Sequence, residues 1–352
     1  MTTTMKKSEV HSPSTRTRTM RAVQVSSVGG ALELVDRPIP EPQPEQVRIK
    51  VQACGVCGSD SMIREGMLPI AYPRVPGHEV IGSIDVVGQG VRNWMAGQRV
   101  GLGWHGGHCF VCDACRRGDF IHCVHEQVPG ISYDGGYAEY VVAPQEALAR
   151  VPDELQAIEA APLMCAGVTT FNALRHSGAR AGDVVAVLGV GGLGHLGIQF
   201  AHHLGFKTVA IEPGKDKERL ARSLGADLYV DAEVQDPARE LQALGGARVV
   251  LATAPSGKAM AAVLGGLGIG GQVLVIGIAR EPLEVPATSL LLGSHSLLGW
   301  YCGIATDSED TMRFSVLRDV RPMIETFPLE RAAEAYARMM AGQVHFRAVL
   351  VP

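Results

Sequence analysis

The sequence predicts an α/β protein with a doubly wound parallel sheet beside a second domain. The chain has 352 residues, enough for about two domains at roughly 150 residues each. An aliphatic run within residues 183–194 ends in a glycine-rich loop, and a helix-like segment follows. Further β-branched runs at 248–252 and 273–276 each come after a plausible helix. A parallel sheet covered by helices on both faces requires this alternation.

The loop after the first of these strands has the spacing of a phosphate-binding turn. It reads Gly-Val-Gly-Gly-Leu-Gly from residue 189 to residue 194. Glycines permit a tight turn and a close backbone approach to a pyrophosphate, and the helix that follows, 195–204, presents unpaired N–H groups to that anion. The loop therefore predicts a dinucleotide site. Its candidate binding residues are Gly189, Gly191, Gly192, Leu193 and Gly194.

An acidic residue ends the next predicted strand. That strand, 208–211, leads to Glu212, eighteen residues after Gly194. A carboxylate there accepts hydrogen bonds from both ribose hydroxyls and repels a 2′-phosphate. Glu212 therefore favours NAD, and NADP less. The alternative interpretation is an ordinary solvated carboxylate at a strand end.

Four cysteines lie within fifteen residues, in the pattern Cys-x2-Cys-x2-Cys-x7-Cys. Four thiolates at such short spacing can close a tetrahedral site, and the pattern predicts a structural zinc. A disulfide pair is disfavoured, because no secretory segment is evident and the thiols are expected to stay reduced. An iron–sulfur centre uses similar ligands, and the spacing leaves it open. The candidate ligands are Cys109, Cys112, Cys115 and Cys123.

A second group of metal-ligand residue types is dispersed along the chain. It comprises Cys-Gly-Val-Cys-Gly-Ser-Asp at 54–60, Gly-His-Glu at 77–79, and Cys165. A catalytic zinc needs three protein ligands and one exchangeable position, and two thiolates with one imidazole supply such a shell. Taken singly, His78 also fits a satisfied loop histidine, and Cys165 fits a small buried hydrophobe.

Composition and termini indicate an ordinary cytoplasmic protein. Lys plus Arg number 32 against 36 Asp plus Glu, which predicts neither nucleic-acid nor anionic-membrane partners. Residues 1–19 contain no apolar stretch and are expected to form a flexible tail, with a transit peptide as the alternative. The apolar stretch 260–279 contains six glycines, which predict a helix end, a turn and a buried strand rather than a membrane span.

Taken in order, these motifs resemble the zinc-dependent alcohol dehydrogenases of the medium-chain dehydrogenase/reductase superfamily. The resemblance extends over residues 20–352. It implies a Rossmann cofactor domain at 160–300 and a mostly β, GroES-like catalytic domain at 20–159 and 301–352. It also implies a homodimer or homotetramer joined through the cofactor domains.

The resemblance implies an activity as well. The chain would interconvert a small-molecule alcohol and its aldehyde or ketone by hydride transfer to or from NAD. Two zinc ions per chain are implied, one catalytic and one structural. A polyol-type dehydrogenase commonly carries Glu where this chain has Cys165, and a zinc-free quinone reductase lacks the ligand set. The remaining alternative is a nucleotide-binding zinc protein without turnover.

Matched position by position, the resemblance implies that Cys57, His78 and Cys165 bind the catalytic zinc. Three neighbours match assisting groups: the proton-accepting hydroxyl, the carboxylate that holds the imidazole and the carboxylate beside the metal. These residues are Ser59, Asp60 and Glu79. Outside the metal site, the matches are a nicotinamide neighbour, an adenosine-ribose contact, a pyrophosphate contact and a bulky pocket side chain. These are Thr169, Lys217, Arg347 and Trp104.

The chain departs from the family pattern near the cofactor phosphates and the proton exit. Gly58 stands where many relatives carry a His or Arg that contacts the phosphates. Met62 stands where several carry a histidine that passes the proton to solvent, so ribose hydroxyls or water are expected to complete the relay. His105 and His108 are predicted to be loop residues rather than metal ligands.

Overall fold

The computed structural model describes residues 18–352. Within these residues the strands form three sheets. They are β1 Thr19–Val25, β2 Leu32–Pro38, β3 Gln46–Val56, β4 Val80–Val87, β5 Arg99–Leu102, β6 Tyr140–Pro144, β7 Leu148–Arg150, β8 Val184–Leu188, β9 Lys207–Glu212, β10 Leu228–Asp231, β11 Ala247–Ala252, β12 Leu267–Val275, β13 Ser296–Gly299, β14 Ile324–Pro328 and β15 Arg347–Val351.

The α-helices of the described residues are short, and the longest spans fourteen residues. They are α1 Asp60–Glu65, α2 Asp113–Arg116, α3 Ala157–Ala160, α4 Ala166–Arg175, α5 Gly194–His203, α6 Glu218–Ser223, α7 Pro237–Ala243, α8 Gly257–Ala262, α9 Ala287–Gly293, α10 Ala305–Arg318 and α11 Ala332–Met340. None of them is long and apolar enough to cross a membrane alone. By length and composition alone, Ala157–Met164 and Ala166–Arg175, which meet at a bend of 55°, could together form a broken membrane span.

The parallel sheet confirms the predicted doubly wound fold. Its strand order is β10-β9-β8-β11-β12-β13, which is the 3-2-1-4-5-6 order of a dinucleotide-binding sheet. Along β8, Val185 and Val187 pack into one core while Ala186 and Leu188 pack into another. A strand buried on both faces has no polar position, which explains its uninterrupted aliphatic sequence. The strand order reverses between β8 and β11, so the loop after Leu188 lies where such sheets bind ligands.

A second, mixed sheet forms the mostly β part of the molecule. Its order is β14-β15-β3-β4-β5-β7, and β6 also pairs with β3. The pairing is antiparallel except between β14 and β15, which run parallel. The central strand β3 is eleven residues long, and its carboxyl end leads directly to Cys57. The neighbouring strand β4 begins directly after Glu79, so the pairing of β3 with β4 brings these segments together.

The observed strand boundaries differ from the predicted ones mainly at β12, whose first half is rich in glycine. The last predicted strand, 273–276, belongs to β12, which begins at Leu267 and pairs with Ala247 through an irregular register. Gly246 lies so close to Gly268 that a Cβ atom on Gly246 would be 2.5 Å from the Gly268 backbone. Such an approach requires glycine. Because glycine lacks a side chain, these positions interrupt the β-branched run from which the strand was predicted, and its first residues were missed.

Two of the predicted domain boundaries can be compared with the structure, the one after residue 19 and the one after residue 300. The first strand begins at Thr19, inside the segment predicted as a tail, and residues 1–17 lie outside the described residues. At the other end, α10 packs against both α4 and β7. This helix therefore joins the two parts of the molecule rather than belonging to one of them alone.

Candidate active site

Three segments that are distant in sequence bring four potential metal-binding side chains together. Cys57 follows β3, His78 and Glu79 precede β4, and Cys165 precedes α4. Their ligand atoms all lie within 4.8 Å of one another. The sulfurs of Cys57 and Cys165 are 3.8 Å apart. A tetrahedral zinc with Zn–S bonds of about 2.3 Å holds two sulfurs about 3.8 Å apart, so this donor set fits the ion.

The imidazole of His78 is oriented by a buried carboxylate. Its Nδ1 lies 3.3 Å from Asp60 Oδ1. Asp60 Oδ2 accepts hydrogen bonds from the Cys57 backbone N–H at 3.0 Å and from the Tyr137 hydroxyl at 2.8 Å. His78 Nε2 is buried and has no hydrogen-bond partner among residues 18–352. An unpartnered buried nitrogen is costly, and a metal ion would satisfy it. Tyr137, missed in the sequence, is the second anchor of Asp60.

The protonation of the two sulfurs also fits a cation. The pKa of Cys57 lies well below its usual value, because Cys165 donates a hydrogen bond to its sulfur and outweighs the effect of burial. The same contact, together with burial, raises the pKa of Cys165 well above its usual value. Burial lowers the pKa of His78, but Asp60 and Cys57 outweigh it and raise that pKa. Metal binding requires deprotonated thiols and a neutral imidazole, so protons and a cation compete for these side chains.

Glu79 links the cluster to the dinucleotide loop. It forms a fully buried ion pair with Arg347. A Cβ atom on Gly55 would lie 1.8 Å from Glu79 Oε2, so the absence of a side chain at Gly55 makes room for the carboxylate. Burial raises the pKa of Glu79 to about 7, while Arg347 opposes this rise. The sequence identified both residues but did not indicate that they pair.

The four remaining candidate ligands form a separate cluster, here called the cysteine lobe. Their sulfurs also lie within 4.8 Å of one another. The distance from Cys123 to Cys109 is 3.6 Å and that from Cys123 to Cys112 is 3.9 Å, so these cysteines are free rather than disulfide-bonded. Backbone N–H groups of Cys109 and His125 each point at Cys123 Sγ, at 3.3 Å.

The glycine-rich loop lies at the end of β8, as predicted. A Cβ atom on Gly194 would lie 1.8 Å from the Gly189 carbonyl oxygen, and one on Gly192 would lie 3.2 Å from Arg347 Nη1. The loop therefore has its compact shape because these positions lack side chains. Beside it is a cavity of about 860 Å³. Its lining includes Gly58, Gly191, Gly192, Leu193, Lys217 and Arg347.

The carboxylate of Glu212 is held by the loop itself. One oxygen accepts a hydrogen bond from the Val190 N–H at 2.7 Å, and the other forms an ion pair with Lys217. Arg347 is 4% exposed, and its Nε has no hydrogen-bond partner among the described residues. An unpaired buried guanidinium N–H beside the cavity fits an anionic ligand such as a pyrophosphate.

The other residues singled out in the sequence lie around this site. Ser59 Oγ is 3.6 Å from Cys57 Sγ, and the Trp104 ring meets His78 edge-on at 5.0 Å. Thr169 Oγ1 accepts a hydrogen bond from the Cys302 N–H at 3.2 Å. Met62 is half-buried within α1. His105 and His108 lie in a loop, and neither belongs to either ligand group found among residues 18–352.

Comparison with known proteins agrees with this geometry. An alcohol dehydrogenase GroES-like domain matches residues 43–153, and a zinc-binding dehydrogenase domain matches residues 192–316. An alcohol dehydrogenase of Penicillium expansum, patD, is 43% identical over 96% of this chain and 99% of that protein. One from Geobacillus stearothermophilus is 36% identical over 94% and 98%. A solved NAD-dependent alcohol dehydrogenase has a TM-score of 0.88 at 30% identity, covering 95% and 100%.

A dinucleotide-binding sheet, a GroES-like domain and a buried sulfur–imidazole cluster between them define a two-domain dehydrogenase. Because near full-length relatives share more than 30% identity with it, the chain belongs to the zinc-dependent alcohol dehydrogenases of the medium-chain dehydrogenase/reductase superfamily. Its reaction is the interconversion of an alcohol and a carbonyl compound with a nicotinamide cofactor. The predicted fold class and reaction class are thereby confirmed.

Proposed function

We propose that this chain is an NAD-dependent alcohol dehydrogenase with two zinc ions. Cys57, His78 and Cys165 hold the catalytic ion, and the cysteine lobe holds the structural one. The observation that carries the proposal is the convergence of three distant segments on one buried set of donors, with the two sulfurs 3.8 Å apart. The unpartnered Nε2 of His78 completes that set.

The residues around the cluster have distinct proposed tasks. A zinc ion held there would supply Lewis-acid polarisation of the substrate oxygen. Ser59, at the start of α1, accepts the hydroxyl proton. Asp60 fixes the ring of His78, as carboxylates commonly do for metal-binding imidazoles. Because Met62 brings no titratable group, the proton leaves Ser59 through ribose hydroxyls or water. The ring of Trp104 beside His78 restricts the pocket to small or flat substrates.

The cofactor preference rests on the loop side of the cavity. Glu212 lies at the end of β9 with Lys217 beside it, and a carboxylate at this position repels a 2′-phosphate. We therefore propose NAD rather than NADP, with Arg347 on the pyrophosphate and Thr169 near the nicotinamide. The similar structure noted above is also an NAD-dependent enzyme.

We further propose a homodimer or homotetramer joined through the parallel sheets. One of the two edge strands of that sheet is β13, and three leucines on or near it are exposed. They are Leu291, Leu292 and Leu298. Large exposed apolar side chains next to a sheet edge support an interface there. A cytoplasmic location is proposed because all eight cysteines are free, as is usual in a reducing compartment.

The decisive experiment combines metal analysis with a substrate screen. The purified protein should contain two zinc ions per chain and should reduce NAD with at least one class of alcohol, primary, secondary or aromatic. The specificity constant should be at least about tenfold higher with NAD than with NADP, and Glu212→Ala should narrow that ratio, because the repelling carboxylate is removed. One zinc per chain would refute the two-ion assignment. Binding of NAD without alcohol-dependent reduction would instead indicate a nucleotide-binding protein without turnover.

A further inference from the structure

Helix α5, which follows the glycine-rich loop, carries two buried polar side chains that the proposed reaction does not use. His195 is fully buried and Gln199 is 8% exposed. They are four residues apart, so they lie one above the other on the same face of the helix. That face contacts residues 321–323, the segment through which the chain passes from α10 into β14. Two buried polar groups on a dinucleotide-binding helix therefore face the strand pair that carries Arg347.

The contacts between the helix and this segment are hydrogen bonds to backbone atoms. Gln199 Nε2 donates to the Arg321 carbonyl oxygen at 3.0 Å, and the Arg321 N–H donates to Gln199 Oε1 at 3.1 Å. The Met323 N–H donates to His195 Nε2 at 3.2 Å. One amide and one imidazole thus satisfy three backbone groups of an irregular segment. We call His195 and Gln199 the helix clamp.

The imidazole of the helix clamp also contacts the phosphate-binding loop. His195 Nδ1 lies 3.0 Å from the Gly191 carbonyl oxygen. Since Nε2 accepts from Met323, Nδ1 carries the proton and donates to Gly191, which fixes a neutral tautomer. Burial lowers the pKa of His195 to about 4, so the ring keeps this tautomer at neutral pH. One ring therefore joins the loop to the segment that enters β14.

The same segment fixes Arg347. The Met323 carbonyl oxygen accepts the backbone N–H of Arg347 at 3.1 Å, and the ring of Phe346 stacks on His195 at 4.9 Å. Phe346 has a φ of +71°, a left-handed conformation that is unfavourable for a non-glycine residue and persists only where its surroundings hold it. The stacked His195 ring contacts this residue directly, and the Met323 backbone holds its neighbour Arg347.

We propose that His195 and Gln199 are positioning residues that set the distance between the glycine-rich loop and the guanidinium of Arg347. The loop comes from the parallel sheet and Arg347 from the mixed sheet, so a pyrophosphate bound between them senses any relative shift. The clamp links the two without contacting the cofactor. This inference rests on the proposed dinucleotide site, and it assigns the geometry of that site to side chains outside it.

The test compares ligands that do and do not contain the pyrophosphate. Binding of ADP-ribose and of adenosine is measured by calorimetry for the wild-type protein, His195→Phe and Gln199→Met. Phe keeps the stacked ring but offers no hydrogen bond, and Met keeps the length of Gln199 without its amide. We expect ADP-ribose to bind at least about tenfold more weakly to each variant, because Arg347 is displaced from the loop, and adenosine to bind within about twofold of wild type.

The control is His202→Gln, which changes an exposed residue of the same helix and should leave both affinities unchanged. Thermal unfolding of each variant shows whether it is folded, and Gln199→Met serves if His195→Phe is not. Wild-type affinity for ADP-ribose in a folded variant would overturn the inference, and so would equal weakening of both ligands. A wild-type protein that binds no ADP-ribose would instead overturn the proposed function on which the inference rests.

Discussion

The two metal-ligand clusters of this molecule use similar donors but are built in opposite ways. The cysteine lobe takes its four sulfurs from one stretch of fifteen residues, between Cys109 and Cys123. The other cluster takes its donors from three segments that span residues 57–165 and meet only through the fold. A local cluster depends on its own loop, whereas a dispersed cluster depends on the packing of whole strands. Metal should therefore matter for folding at the first site and for chemistry at the second.

The surroundings of the two clusters support this difference. Cys57 directly follows β3, and His78 lies just before β4, which pairs with β3. The fully buried Tyr137 packs beside them. We expect the removal of one ligand there to leave the pairing of β3 with β4 intact. The cysteine lobe has only the four-residue helix α2 and a short 3-10 turn, and its neighbours Val111 and Val124 are largely exposed. We therefore expect the proposed structural zinc to serve as the core of this segment.

The largest expected effect is on turnover, and it separates the clusters directly. Cys57→Ala should lower kcat by about 10³-fold or more, because Lewis-acid polarisation contributes several kcal/mol to catalysis. Its melting temperature should change little. The matched variant Cys115→Ala, also a buried cysteine, should lower the melting temperature by several degrees while the folded fraction keeps its turnover. Activity assays and thermal unfolding on the same preparations make the comparison.

Zinc content provides the control for these two variants, since each should lose about one ion per chain relative to wild type. Retained turnover in Cys57→Ala would contradict the ligand assignment. A Cys115→Ala protein as stable as wild type would contradict a structural role for the lobe.

A second effect concerns the charge pair beside the dispersed cluster. Glu79→Gln leaves the guanidinium of Arg347 buried without its counter-charge, and breaking a buried pair in this way costs about 3–5 kcal/mol. Urea unfolding should show a loss of that size. The double variant Glu79→Gln with Arg347→Met should recover part of the loss, because no unpaired charge remains. A single variant within about 1 kcal/mol of wild type would show that the pair is not a stabilising element of the site.

The same contrast explains how much the sequence predicted. The cysteine lobe and the glycine-rich loop are each formed by one continuous stretch of sequence, so the spacing of their residues alone indicated them. The grouping of Cys57 with Cys165 came from family resemblance, because their proximity depends on the pairing of β3 with β4 and on the placement of α4. Tyr137 had no signal, since one tyrosine in a β-rich stretch fits any core position.

The helix clamp lies between these cases. His195 and Gln199 were not predicted as functional residues from the sequence, although their four-residue spacing places them on one face of a helix. Their partners are backbone atoms of residues 321–323, more than one hundred residues away, and only the return of the chain into β14 places them there. A sequence pattern shows which residues share a face of a helix. Contacts between that face and backbone atoms far away in sequence can be predicted only when the topology of the fold is known.

The smallest expected effect completes the comparison, at a carboxylate beside the cysteine lobe. Burial raises the pKa of Glu126 to about 7, and the hydrogen bond from Tyr301 only partly opposes this. A carboxyl group whose folded-state pKa exceeds its unfolded value of about 4.5 stabilises the protein at low pH, and that contribution is lost as the pH rises through 7. The full shift of the Glu126 pKa corresponds to roughly 3 kcal/mol in the free energy of unfolding, and partial exposure to solvent reduces this contribution to about 1–2 kcal/mol. Urea unfolding should show that the free energy of unfolding of the wild-type protein falls by this amount between pH 4.5 and pH 7.5. The fall should be absent in Glu126→Gln and should persist in Glu154→Gln, the control at an exposed position. Equal pH profiles for wild type and Glu126→Gln would show that burial at the lobe is too shallow to hold a neutral carboxyl, in contrast to the pair at Glu79.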